Sequence, residues 1–154
     1  MRRFEIVKND FRKHLDSEII LPKRATIYSA GYDFCSPEKL VIKPKETVKI
    51  FTDIKAKMFD YEVLTLHIRS SIGIKKNLML ANCTGIVDSD YYSNPDNDGN
   101  IIIALYNYGI KIEIIEKNER VMQGIFTNFN ITTDDNEKIL LKQRNGGVGS
   151  TGKK

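Results

Sequence analysis

The side chains best placed for chemistry stand in ANCTGIVDSDYY, the twelve residues from Ala81 to Tyr92. A Gly, two β-branched residues and then Asp88-Ser89-Asp90-Tyr91 predict a strand running into a tight turn. Two carboxylates and an aromatic ring would stand at its end. A carboxylate there can orient and deprotonate a water as general base. A neighbouring Tyr ring can pack flat against a sugar and reject extra substituents by shape. Asp-x-Asp is common in turns, so this stretch alone assigns no reaction. A second candidate is the tail RNGGVGSTGKK, Arg144 to Lys154, with four glycines in eleven residues. Glycines let backbone N–H groups approach an anion, and Ser150 and Thr151 add hydroxyl donors. The tail reads either as a plain flexible terminus or as a phosphate lid.

Other motifs fail on inspection. Gly147, Gly152 and Lys153 have the spacing of a phosphate-binding loop, but Lys154 stands where a magnesium-binding Ser or Thr belongs and no sequence follows for the helix. Asn94, Asp96, Asp98 and Gly99 resemble the opening of a calcium loop, yet the closing acid falls on Leu105, so an ordinary acidic surface turn is expected. His14 and His67 lack zinc-ligand spacing. Cys35 and Cys83 are expected to be buried or semi-buried free thiols, too few for a disulfide framework.

These residues must be positioned by a framework, and the sequence points to an all-β one. The 154 residues fit one domain, large enough to hold a core without disulfide or metal. Strand-like runs are Glu46 to Ile54, Tyr61 to Ile68, Leu78 to Ala81, Asn100 to Tyr106, Lys111 to Ile115, Val121 to Phe129 and Ile139 to Leu141. Lys43-Pro44-Lys45, Asn94-Pro95-Asp96 and Asn107-Tyr108-Gly109 punctuate them. Helix is expected at most over Arg69 to Lys76 and Asp10 to Asp16. Apolar residues at 41% and charged residues at 29% exclude disordered, collagen-like and membrane classes. The net charge of +4 suits a polyanionic small molecule as well as nucleic acid, and no aromatic-basic cluster favours direct nucleic-acid binding. MRRFEIVKND lacks a signal-peptide apolar segment, so the expected setting is the cytoplasm, of a host if the gene is viral.

Five blocks in order carry a family resemblance. They are Ala30-Gly31-Tyr32-Asp33-Phe34; Arg69-Ser70-Ser71; Asn82 with Gly85-Ile86-Val87-Asp88-Ser89-Asp90-Tyr91; Glu119-Arg120-Val121-Met122-Gln123; and Gly146-Gly147-Val148-Gly149-Ser150-Thr151-Gly152. Together they resemble the trimeric dUTP pyrophosphatases (dUTPases) over residues 30 to 152. The resemblance implies a distorted jelly-roll or β-barrel subunit over residues 1–141, a flexible glycine-rich arm over 142–154, and a homotrimer whose sites are shared between subunits. It implies Mg²⁺-dependent hydrolysis of dUTP to dUMP and pyrophosphate. Asp88 would activate the water and Tyr91 would lie under the deoxyribose, excluding a 2′-hydroxyl. Asn82, Gly85 and the hairpin backbone would meet the uracil edge, with Ile102 also against the substrate. Arg69, Ser70, Ser71 and Gln123 would hold phosphate oxygens, Asp33 would reach magnesium through water, and Arg120 would be a buried salt-bridged structural residue. From the tail, Arg144, Val148, Gly149, Ser150 and Thr151 would close over the triphosphate.

The chain departs from the family pattern in places. Val148 replaces a Phe that stacks on the base, which implies weaker lid closure or a higher KM. The family's tail Arg falls on Gln143, and Arg144 is expected to take its role. An acidic insertion, Asn94 to Asp98, is expected to be a surface loop tolerant of deletion. Its alternative role is contact with a regulatory protein, which would make the chain a nucleotide-gated binding protein. Asn118 replaces a Gly and is expected to accept a left-handed conformation. The related dCTP deaminases need a Glu where this chain has Ala104, so deamination is not expected.

Overall fold

The computed structural model describes residues 1–133. Twelve short strands follow one another: β1 (Arg3–Ile6), β2 (Lys23–Arg24), β3 (Tyr32–Cys35), β4 (Leu40–Ile42), β5 (Thr47–Phe51) and β6 (Ile54–Lys57) in the first half. Then come β7 (Glu62–Ile68), β8 (Leu78–Leu80), β9 (Gly85–Asp88), β10 (Ile102–Asn107), β11 (Glu113–Ile115) and β12 (Arg120–Asn128). Every pairing is antiparallel. The largest sheet has the order β2-β3-β12-β7-β9, a second the order β5-β10-β8, and β1-β6 and β11-β4 form two-stranded ribbons. Between them Phe34, Ile42, Ile50, Leu64, Leu78, Leu105, Ile115 and Met122 are buried. Each such side chain stabilises by about 1.5–3 kcal/mol. This is the all-β architecture that the turn spacing predicts, and the jelly roll that the family resemblance implies. Among the described residues no helix is long and apolar enough to cross a membrane.

The differences from the sequence expectation have local causes. The run from Glu46 to Ile54 holds β5 and only the first residue of β6, with a break at Thr52-Asp53, where Asp53 turns left-handed at φ 57°. Its fully buried carboxylate accepts N–H bonds from Lys13 (2.9 Å), His14 (2.8 Å) and the Asn100 side chain (3.0 Å), so the chain bends to deliver it. The Arg69 to Lys76 region forms one π-turn, Ser71–Lys75, and the Asp10 to Asp16 region only a 3-10 turn, Asn9–Phe11. Strands β1 to β4, and β6 beyond Ile54, were not anticipated: they are two to four residues long, too short for alternation to mark them, whereas the equally short β8 and β11 lie inside the longer runs Leu78 to Ala81 and Lys111 to Ile115. Asn118 adopts φ 66° as expected. Cys35 is half-buried, with burial and then Asp33 pushing its thiol pKa up, whereas Cys83 is exposed, contrary to expectation. The Ile139 to Leu141 run and the 142–154 arm lie outside the described residues.

The Asn94–Asp98 insertion is not a detachable surface loop. Asn94 and Asp98 are 5% and 1% exposed. Asp98 pairs with the buried Lys55 ammonium at 2.8 Å and accepts the Lys8 backbone N–H at 2.8 Å. Lys55 also lies 5.0 Å from the centre of the Tyr92 ring, whose hydroxyl donates to Glu5. Only Pro95 and Asp96 of this stretch are exposed. Deleting Asn94–Asp98 would therefore strand a buried ammonium.

Burial pushes the Asp98 carboxyl up, but the Lys55 hydrogen bond, the Lys8 N–H and the Lys55 charge outweigh it and hold it below the ordinary value. A depressed folded pKa adds stability that is fully present above about pH 4 and is lost as pH falls through the folded value. Lys55→Met leaves that carboxylate buried and uncompensated. It should cost about 3–5 kcal/mol in urea unfolding at neutral pH. Adding Asp98→Asn to the same background should recover part of the loss.

Candidate active site

The hairpin β8–β9 is unusual in that its strands join different sheets. β8 pairs with β10 through Leu80↔Leu105, and β9 pairs with β7 through Gly85↔Leu66. The hairpin therefore splays. Its turn is tied by Cys83 N–H to Leu80 C=O (2.9 Å) and Thr84 N–H to Asn82 C=O (2.7 Å), with Cys83 left-handed at φ 63°. A cavity of about 280 Å³ opens beside the splay. Leu66, Leu80, Ile102, Ile103 and Ala104 give it apolar walls, Asn82 and Gly85 line it from the hairpin, and Lys49 is its one charged lining residue. A Cβ at Gly85 would stand 2.9 Å from Leu66 Cβ, so only glycine lets β9 approach β7 this closely. An apolar slot with an amide and strand backbone at one edge suits a flat heterocycle with hydrogen-bonding edges.

Asp88 ends β9 opposite Val63 and stands before the 3-10 turn Ser89–Tyr91. Its side chain is half-buried. Tyr91 is 8% exposed, and its hydroxyl donates to the Asn100 carbonyl at 2.8 Å. Here the strand-into-turn expectation for Gly85 to Tyr91 holds.

A second set gathers at one end of the five-stranded sheet. Arg69 follows β7 directly and reaches Asp33 Oδ1 with Nε at 3.0 Å, while Arg120 Nη1 meets Asp33 Oδ2 at 3.0 Å. Gln123 sits opposite Asp33 across β12 and β3, and packs on Gly31, where a Cβ would lie 2.5 Å from Gln123 Oε1. Ser70 and Ser71 are exposed at the start of the π-turn. Two guanidiniums against one carboxylate leave this end locally positive, suited to phosphate oxygens. Within the single chain the Arg120 side chain is ion-paired as expected but 51% exposed rather than buried.

The cavity is lined by none of Arg69, Ser70, Ser71 or Gln123. Arg69 lies three residues beyond Leu66, about 10 Å along an extended strand. Within one chain the slot and the basic end are thus separate features. Both oxygens of Asp33 carry an arginine, and among the described residues no group of three or more His, Cys, Asp or Glu could hold a metal. A magnesium ion fits these residues only as one bound chiefly by substrate phosphates, with a carboxylate reached through water. Arg144, Val148, Gly149, Ser150 and Thr151 lie outside the described residues. Sequence reading missed Lys49, whose place in the slot follows from its register opposite Ala104, and Asn97, whose side chain donates to the Tyr91 hydroxyl.

Comparison with known proteins agrees with this geometry. The dUTPase family model matches residues 17–152. A deoxyuridine 5′-triphosphate nucleotidohydrolase of Lactococcus lactis subsp. lactis (strain IL1403) is 42% identical over 152 residues, covering 99% of this chain and 98% of that protein. The crystal structure of a dUTPase from Streptococcus mutans superposes with a TM-score of 0.73 at 39% identity, covering 84% of this chain and 97% of that one. The dUTPase of Staphylococcus bacteriophage 80alpha shares the fold, with a TM-score of 0.68 at 20% identity over 92% of this chain and 99% of that one. With a family model spanning most of its length and relatives this similar along nearly all of it, the chain belongs to the dUTPase family.

Proposed function

We infer that this chain hydrolyses dUTP to dUMP and pyrophosphate, and its membership of the dUTPase family is the observation that carries the reading. Water adds to phosphorus, the bond between the first and second phosphates breaks, and pyrophosphate leaves. Asp88 takes the proton from the attacking water. Asn82, Gly85 and the hairpin backbone receive the uracil edge in the slot, with Ile102 in its wall. Tyr91 lies against the deoxyribose. Arg69, Ser70, Ser71 and Gln123 bind phosphate oxygens, and Arg144, Val148, Gly149, Ser150 and Thr151 close over them. Mg²⁺, when bound, neutralises phosphate charge as the leaving group departs. Asp33 holds Arg69 and Arg120 and would meet that ion through water.

The separation of slot and basic end supports a homotrimer in which one subunit's slot faces another's arginines. Ala104 supports hydrolysis over deamination, since a methyl in the slot wall transfers no proton. A reading as a regulatory protein that contacts a partner at Asn94–Asp98 gains little support, because Asn94 and Asp98 are engaged inside the chain. A cytoplasmic setting suits a consumer of soluble nucleotides.

Pyrophosphate release should be seen with dUTP and Mg²⁺ and be far slower with UTP, dTTP and dCTP; Asp88→Asn should lower kcat by at least about 100-fold. Release from none of these, or equal rates in the mutant, would overturn the reading. Chelating Mg²⁺ with EDTA should abolish release and readdition restore it. Gly85→Ala drives a methyl into Leu66 and narrows the slot, so KM for dUTP should rise by about tenfold or more, with stability lowered by about 1–3 kcal/mol.

A further inference from the structure

The insertion after Tyr91 makes a closed set of hydrogen bonds around that residue. Asn97 Nδ2 donates to the Tyr91 hydroxyl at 2.7 Å, and the hydroxyl donates onward to the Asn100 carbonyl at 2.8 Å. Asn94 Nδ2 donates to the Tyr91 carbonyl at 2.8 Å and to Asn97 Oδ1 at 2.8 Å. Asn97 Oδ1 also accepts the Gly99 N–H at 3.0 Å. Two donors on one oxygen fix which way the Asn97 amide points, so the nitrogen must face Tyr91. The ring is thus gripped at its phenol end by Asn97 and at its backbone by Asn94. The far end of the loop is fixed by the buried Asp98–Lys55 pair.

We propose that Asn97 is a positioning residue for sugar discrimination: it locks the Tyr91 ring, and the insertion is the frame that holds Asn97. The proposal rests on the reading that Tyr91 packs against the deoxyribose of dUTP. Rejection by shape works only if the wall does not yield, because a ring free to tilt makes room for one extra hydroxyl. A hydroxyl is otherwise poorly excluded by a slot that merely fits. The lock matters here because Tyr91 lies in a single 3-10 turn, beyond the end of β9.

The test is the ratio of kcat/KM for dUTP to that for UTP, measured with Mg²⁺ on the full chain. The ratio cancels any general loss of active protein, so a merely structural role for Asn97 would not move it. Asn97→Ala should lower the ratio about tenfold, the size of one hydrogen bond. Tyr91→Phe removes the hydroxyl but leaves the loop's other bonds, and it should lower the ratio similarly even if Asn97→Ala folds poorly. The double variant should fall no further than Tyr91→Phe alone, since losing the hydroxyl already breaks the Asn97 bond along with the one to Asn100. An unchanged ratio in Asn97→Ala and Tyr91→Phe, with Tyr91→Ala collapsing it, would overturn the lock while keeping Tyr91 at the sugar. An unchanged ratio in Tyr91→Ala as well would remove Tyr91 from the sugar and the inference with it. Absence of dUTP hydrolysis by the unmodified chain would instead defeat the functional reading.

Discussion

The hairpin whose two strands belong to two sheets is the constraint from which the apolar slot follows. A hairpin normally closes on itself, with its strands paired by the ladder that starts at the turn. Here β8 pairs with β10 and β9 with β7. The backbone edges between them are freed near the turn, and apolar side chains from both sheets wall the gap. Gly85 is the hinge of this arrangement, because a side chain there would push β9 off Leu66. Leu66, Leu80 and Ile103, each no more than 3% exposed, belong to the core as well as to the slot. The same packing that stabilises the fold therefore sets the slot's width, and rigid walls of this kind hold a flat ring in one plane.

A buried polar network links the turn that carries Tyr91 to the N-terminal segment. Asn100 is its junction. Its side-chain oxygen accepts the Asp53 N–H (3.0 Å), its Nδ2 reaches Asp53 Oδ1 (3.0 Å) and the Phe11 carbonyl (3.2 Å), and its own carbonyl accepts the Tyr91 hydroxyl. Two buried carboxylates sit in this region and are compensated differently. Asp53 gathers backbone N–H groups from Lys13 and His14, whereas Asp98 relies on the Lys55 ammonium. Hydrogen bonds from fixed backbone and a charged partner are the two ways to bury a carboxylate without a large loss. Both tie distant segments together: residues 8–14, the turn before β6, and the stretch after Tyr91.

Much of this was legible in the sequence, for identifiable reasons. The longer strands, such as β7 and β12, show alternation long enough to register, and Gly85 to Tyr91 reads directly as a strand ending in carboxylates and a ring. Asn118 could be assigned its left-handed turn because few other residues tolerate one. Strands β1 to β4 were not legible, since two to four residues do not define a period, while β8 and β11 showed only as parts of longer strand-like runs. Asp98 looked like a surface acid, because burial of a charge depends on partners that sequence spacing does not bring near: Asp98 and Lys55 are 43 residues apart. Lys49 enters the slot only through its register opposite Ala104, and register is a property of pairing rather than of either strand alone.

The basic end shows how one carboxylate can orient two guanidiniums. Asp33 meets Arg69 through Nε, so the terminal nitrogens of that guanidinium are not needed for the pair. A planar fork held from one side presents its remaining donors in a fixed plane, which a free arginine side chain reaches only at a cost in rotamer entropy. Arg120, about half exposed, is held more loosely by the other oxygen of the same carboxylate. Removing Asp33 would leave the positive charge in place and take away its direction. In phosphoryl-type hydrolysis most of the protein's contribution is position and electrostatics, so direction is the more consequential of the two.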